Sequence, residues 1–99
     1  MINIIKNLTG ETLTFNLAGR LDTTTAPNLE AELKNSIDSV KNLVFDFKEL
    51  EYISSAGLRV LLGAQKIMNK QGSMVIKNAN EVIMEIFEVT GFSDILTFE

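Results

Sequence analysis

Two adjacent serines, Ser54 and Ser55, stand where a short apolar stretch gives way to a helical pattern, and Ala56-Gly57 follows them. A nucleophilic serine needs a base. The chain contains no His, which excludes a Ser-His-Asp triad and a His-ligated zinc site. It contains no Cys, which excludes thiolate nucleophiles, disulfides and iron–sulfur clusters. No Gly-x-Ser-x-Gly elbow, Walker A loop or Gly-x-Gly-x-x-Gly run is present. A Lys can in principle activate a Ser, but Lys48 and Lys66 have no spacing that argues for it, so the leading readings of the serines are capping and modification. Ser is a preferred helix N-cap, stabilising by about 1 kcal/mol over Ala. A Ser at a helix start can also accept a phosphoryl group, because free N–H groups and a partial positive charge face it. The added charge of about −1.5 to −2 suits the helix but is alien to a docking partner. On the second reading the segment is a surface switch and not a catalyst.

A switch acts through a surface around it. Asp22, Thr23 and Thr24 lie in the loop ahead of the first helix, where the acid either orients the loop near Ser55 or simply holds a turn. Gly57 lets another backbone come close. Arg59, Lys66 and Lys70 share one helix face, which is either solvated or meets an acidic partner. Asp46 falls in an apolar strand, where an unpaired carboxylate is costly; it is expected near the strand's C-terminal end with backbone hydrogen bonds. Met84 falls among Glu81, Glu85 and Glu88 on the outer side of the third helix.

The elements that must position these residues follow from periodicity. Ile2 to Ile5 is a short strand, and Asn7, Thr9 and Gly10 make a turn. Thr12 to Leu17 alternates with Leu13, Phe15 and Leu17 on one face, a half-covered strand. Thr25 caps a first helix with Pro27 in its first turn and Leu29, Leu33 and Ile37 inward. Leu43 to Phe47, nearly continuous in apolar residues, suits a strand buried on both faces. Leu58 to Gln71 is a second helix, ended by Gly72, and Met74 to Ile76 a strand. Asn80 caps a third helix with Val82, Ile83, Ile86 and Phe87 inward and Gly91 at its end. Ile95 to Phe98 reads as a last strand. The order β-β-α-β-α-β-α-β predicts an α/β fold: a small, mostly parallel mixed sheet, an antiparallel N-terminal hairpin strand, and helices packed on it.

The 99 residues correspond to one domain, 1–99. Nine Lys+Arg against 13 Asp+Glu give a net charge of −4, which disfavours nucleic-acid binding. No apolar run reaches the roughly 20 residues of a membrane span, and the N-terminus lacks the pattern of a signal peptide. A cytoplasmic monomer without metal or cofactor is the expectation.

The Ser54–Ser55 segment also carries a family resemblance. Leu43-Val44-Phe45-Asp46-Phe47 through Tyr52-Ile53-Ser54-Ser55-Ala56-Gly57-Leu58 resembles the signature strand, loop and helix start of STAS domains, and among them of bacterial anti-sigma factor antagonists. Gly19-Arg20-Leu21-Asp22 and Gly91-Phe92 with Ile95-Leu96 resemble two further patterns of that family. The resemblance implies a non-enzymatic regulator of sigma-dependent transcription. When unphosphorylated it would bind a GHKL-type serine kinase that doubles as the anti-sigma factor. Phosphorylation would release it, and a PP2C-type phosphatase would reset it. The phosphorylated position aligns with Ser55, with Ser54 as second choice; Ser54 stands where the family often has Asp. The docking face then comprises Asp22, Thr23, Thr24, Ser54, Ser55, Ala56, Gly57 and Arg59. Alternatives within the fold are a scaffold for a stress-signalling or transport complex and, more remotely, a nucleotide-binding protein.

Overall fold

The computed structural model describes residues 2–99. Its elements are β1 (Ile2–Thr9), β2 (Thr12–Leu21), α1 (Ala26–Ser36), β3 (Asn42–Ile53), α2 (Ser55–Gln71), β4 (Ser73–Lys77) and α3 (Glu81–Thr90), closed by a 3₁₀ turn at Phe92–Asp94. The sheet order is β1-β2-β3-β4. β1 runs antiparallel to β2, while β2/β3 and β3/β4 are parallel, so the fold is the mixed α/β architecture expected. β1 is longer than its apolar start implies. Asn7 and Thr9 belong to the strand, and the hairpin turns on Gly10 and Glu11 alone, with Gly10 at φ +60°, where glycine carries no Cβ penalty.

β3 departs from the two-faced burial its composition suggests. Leu43, Phe45 and Phe47 are buried, but Val44 and Asp46 between them are only half-buried. In β2, likewise, Leu13, Phe15 and Leu17 are buried and Asn16 is exposed. The helices therefore cover one face of the sheet, and the other stays open. A valine on the open face mimicked a doubly buried strand. The covered face is aromatic: Phe15 stacks on Phe45 at 5.6 Å between ring centroids, and Phe47 on Phe87 of α3 at 6.4 Å, separations at which ring pairs attract.

The last strand does not form. After the 3₁₀ turn Leu96 is buried while Ile95 stays exposed, and the tail meets β4 through a single bridge, Ile76 with Phe98. Ile76 N–H donates to Thr97 O (2.9 Å) and Glu99 N–H to Ile76 O (3.0 Å). Ile95 N–H and Leu96 N–H instead donate back to Phe92 O at 3.0 and 2.9 Å, which ties the first half of the expected strand to the turn. α3 differs in its facing. Asn80 caps it as expected, its Oδ1 accepting from Ile83 N–H at 2.9 Å, and Gly91 ends it at φ +83°. Ile83 and Phe87 are buried, but Val82 is exposed and Met84 instead packs half-buried against the core.

Candidate functional site

The ends of two parallel strands build the site. β2 and β3 pair as Arg20 with Tyr52 and Leu21 with Ile53. One residue further on, Ser54 N–H donates to Leu21 O at 2.8 Å, which fixes the start of α2 beside the loop that leaves β2. Ser54 is extended (φ −98°, ψ 175°) and is the N-cap: its Oγ accepts from Gly57 N–H at 3.5 Å, and its carbonyl accepts from Leu58 N–H at 2.9 Å. Ser55 is the first residue of the helix. Its side chain is exposed, and among the described residues its hydroxyl has no hydrogen-bond partner. The two serines, of which the resemblance ranks Ser55 first and Ser54 second, differ in the structure: Ser54 is occupied as a cap, and Ser55 points free at the positive end of a 17-residue helix.

Gly57 is buried against the chain's own core. A Cβ there would lie 2.8 Å from Ile53 Cγ1 and 2.8 Å from Leu21 Cγ. The close approach it permits is that of the chain's own core, which seats the first turn of α2 on the ends of β2 and β3. Ala56 is half-buried.

The β2–α1 loop folds around Asp22. Asp22 Oδ1 accepts from Thr24 Oγ1 (2.7 Å), Thr24 N–H (3.0 Å) and Thr25 N–H (3.1 Å). The Thr24 hydroxyl is the main reason the carboxyl is held below its ordinary pKa of 3.8; partial burial opposes it, and the Thr24 and Thr25 donors add to the lowering. Thr25 stands at the N-cap of α1 but does not cap it. Its buried hydroxyl turns back, donating to Arg20 O (2.8 Å) and accepting from Asp22 N–H (2.8 Å). Thr23 and Thr24 remain exposed. Asp22 is therefore the hydrogen-bonding centre of a loop set beside Ser54. Arg59, exposed on the next turn of α2, faces a groove between α1 and α2.

Two residues that the sequence left out of the site lie in it. The Arg20 guanidinium carbon sits 4.4 Å above the centre of the Tyr52 ring, a cation–π stack. The signal was available: each residue stands two positions before its partner in the site, Arg20 before Asp22 and Tyr52 before Ser54. Asp46 is mid-strand and distant in register from this end, its Oδ1 accepting from Lys48 N–H and Asn78 Nδ2–H, each at 3.0 Å.

Fold and geometry together define a small α/β domain in which a helix starts at the ends of the two central parallel strands of a sheet covered on one face. A STAS-domain family model matches residues 3–99, and the chain belongs to the STAS-domain family. It is 41% identical over 81 residues to BtrV of Bordetella bronchiseptica, provisionally named an anti-sigma factor antagonist, covering 80% of this chain and 70% of that one. It is 34% identical over 82 residues to the anti-sigma-B factor antagonist of Bacillus subtilis, covering 82% and 75%. The fold also matches that of SpoIIAA, an anti-sigma factor antagonist and Bacillus cell fate determinant. The unphosphorylated form superposes with a TM-score of 0.78 at 19% identity, over 98% of this chain and 87% of that one. The phosphorylated form gives 0.77 at 20% identity, over 98% and 91%.

Proposed function

We propose that this chain is an anti-sigma factor antagonist that works by binding, with Ser55 as its switch. Unphosphorylated, it docks on a cytoplasmic serine kinase of the GHKL type that doubles as the anti-sigma factor. Phosphorylation of Ser55 ends docking, and a PP2C-type phosphatase restores it. The observation that carries this reading is the division of labour between the serines. Ser54 is engaged as the N-cap, while Ser55 is exposed and unpartnered at the first position of α2. A phosphoryl group there meets the helix's free N–H groups, so the fold tolerates it. The docking partner, by contrast, meets a new dianion between the Asp22 loop and α2. Loss of binding is then local repulsion and not refolding. The similarity of the chain to both forms of SpoIIAA supports a fold compatible with either state. The names of the curated relatives support the assignment to the sigma-factor pathway.

Intact-mass spectrometry after incubation with ATP and each GHKL kinase of the host tests the proposal on wild type, Ser54→Ala and Ser55→Ala. One added phosphate that is absent only in Ser55→Ala is the expected result. Phosphate absent only in Ser54→Ala moves the switch by one residue, and no phosphate with any kinase overturns it.

A further inference from the structure

We infer that the groove between α1 and α2 of one copy receives the outer face of α3 of a second copy, head to tail. Charge is the first ground. The groove is lined by the cations Arg59 of α2 and Lys34 of α1 against one acid, Glu30, and α2 adds Lys66 and Lys70 outside the lining and no acid; α3 carries Glu81, Glu85 and Glu88 and no base. None of these is neutralised within the chain, because the ion pairs among the described residues are Lys6–Glu32 and Lys77–Glu99. Shape is the second. The groove, about 120 Å³, has an apolar floor that includes Leu33, Val60 and Ala64, with Ile67 44% exposed at its lip. α3 offers Val82 (58% exposed), Ile86 and Val89 (80% exposed), spaced i, i+4, i+7 along one stripe.

Gly63 is the third ground. It lies mid-helix in α2 and lines the groove, and a Cβ added to it would meet nothing within 4 Å. A glycine there weakens the helix relative to alanine with no packing reason inside one copy. A helix arriving from outside supplies that reason, since the bare backbone lets it come close. Like charge disfavours an isologous pairing of α2 on α2 or α3 on α3, so the contact that suits both charge and shape is heterologous. One ten-residue helix face in one groove is a small interface, so the association is weak and sensitive to salt.

Sedimentation velocity on the purified chain, from micromolar to millimolar concentration and at low and high salt, tests this. The sedimentation coefficient of wild type is expected to rise with concentration and to fall back in high salt. Gly63→Leu fills the groove and Val89→Glu places a charge in the stripe; each weakens association about tenfold or more, the usual loss when a packed anchor is removed. Both positions are exposed, and melting curves establish that each variant is folded. Mixed together, the two variants are expected to form a 1:1 dimer that grows no further. The intact α3 of the first enters the intact groove of the second, and both free ends are blocked. Wild type that stays monomeric throughout overturns the inference. So does association unaffected by both variants, or variants that each lose association and fail to combine.

Discussion

At Asp22, three donors converge on one carboxylate oxygen, two from Thr24 and one from the Thr25 amide. They prefer the ionised form, which is why the carboxyl sits below its ordinary 3.8. The sign of the consequence follows from linkage. Between the lowered folded pKa and 3.8 the unfolded chain binds more protons than the folded one, so stability rises with pH across that window. The contribution is fully present above the unfolded value and is lost as pH falls through the folded one. Asp22→Asn keeps an acceptor oxygen but loses the charge. Melting temperatures of both proteins from neutral to strongly acid pH are expected to differ by a constant amount at neutrality, wild type higher, and to converge below 3.8. A difference that widens in acid contradicts the account. The contrast with Ser55 is instructive. Asp22 was legible as a turn acid because an Asx turn is made within three residues. The family resemblance ranked Ser55 ahead of Ser54, but the capping of Ser54 that separates them physically was not legible, since it depends on which residue is extended when α2 begins, and that is set by Leu21 O accepting from Ser54 N–H across the sheet.

At the scale of elements, local signals read well and long-range ones did not. Asn80 and Gly91 bound α3 as their types predict, because cap geometry is confined to one turn. Val82 and Val44 were assigned inward on hydrophobicity, yet both lie on surfaces that no other element of the chain fully covers; only the placement of neighbouring elements decides that. Gly72 shows the same division. The sequence marks it as the stop of α2, and so it is, but not through a left-handed turn: its φ is 178°, an extended value open to any residue. What requires glycine is the start of β3. A Cβ on residue 72 would lie 1.8 Å from the Lys41 carbonyl oxygen, the same oxygen that accepts from Ser73 N–H at 2.9 Å to begin the β3–β4 ladder. Backbone cannot yield as a flexible side chain does. Gly72→Ala is therefore expected to destabilise by about 3 kcal/mol, the upper range of overpacking costs. Urea unfolding measures it, and a loss under about 0.5 kcal/mol, typical of a neutral surface change, refutes the contact.

The whole molecule is tied together by aromatic rings that run through every layer. Phe15 and Phe45 join β2 to β3, Phe47 joins β3 to α3 through Phe87, and Phe98 lies 5.3 Å from Phe87, bringing the C-terminal tail into the same series. The tail looks dispensable by secondary structure, since it forms one bridge to β4. By packing it is not: Phe98 is half-buried against the core that positions β3, and β3 ends beside Ser54 and Ser55. The two views make opposite predictions for Phe98→Ala. If the tail were an appendage, the substitution would leave the melting temperature unchanged. If it is part of one cooperative core, removing a half-buried ring costs about 2 kcal/mol, below the 3–5 of a fully buried Phe, and lowers the melting temperature by about 8–16 °C in a domain of this size. The chain has no Trp and one Tyr, so Tyr52 fluorescence reports the site end of the sheet alone, while far-ultraviolet circular dichroism reports all the helices and strands. Cooperative coupling requires the two probes to shift together to the same lower midpoint. A Tyr52 transition left in place while the dichroism moves means that the tail and the Tyr52 end of the sheet belong to separate units.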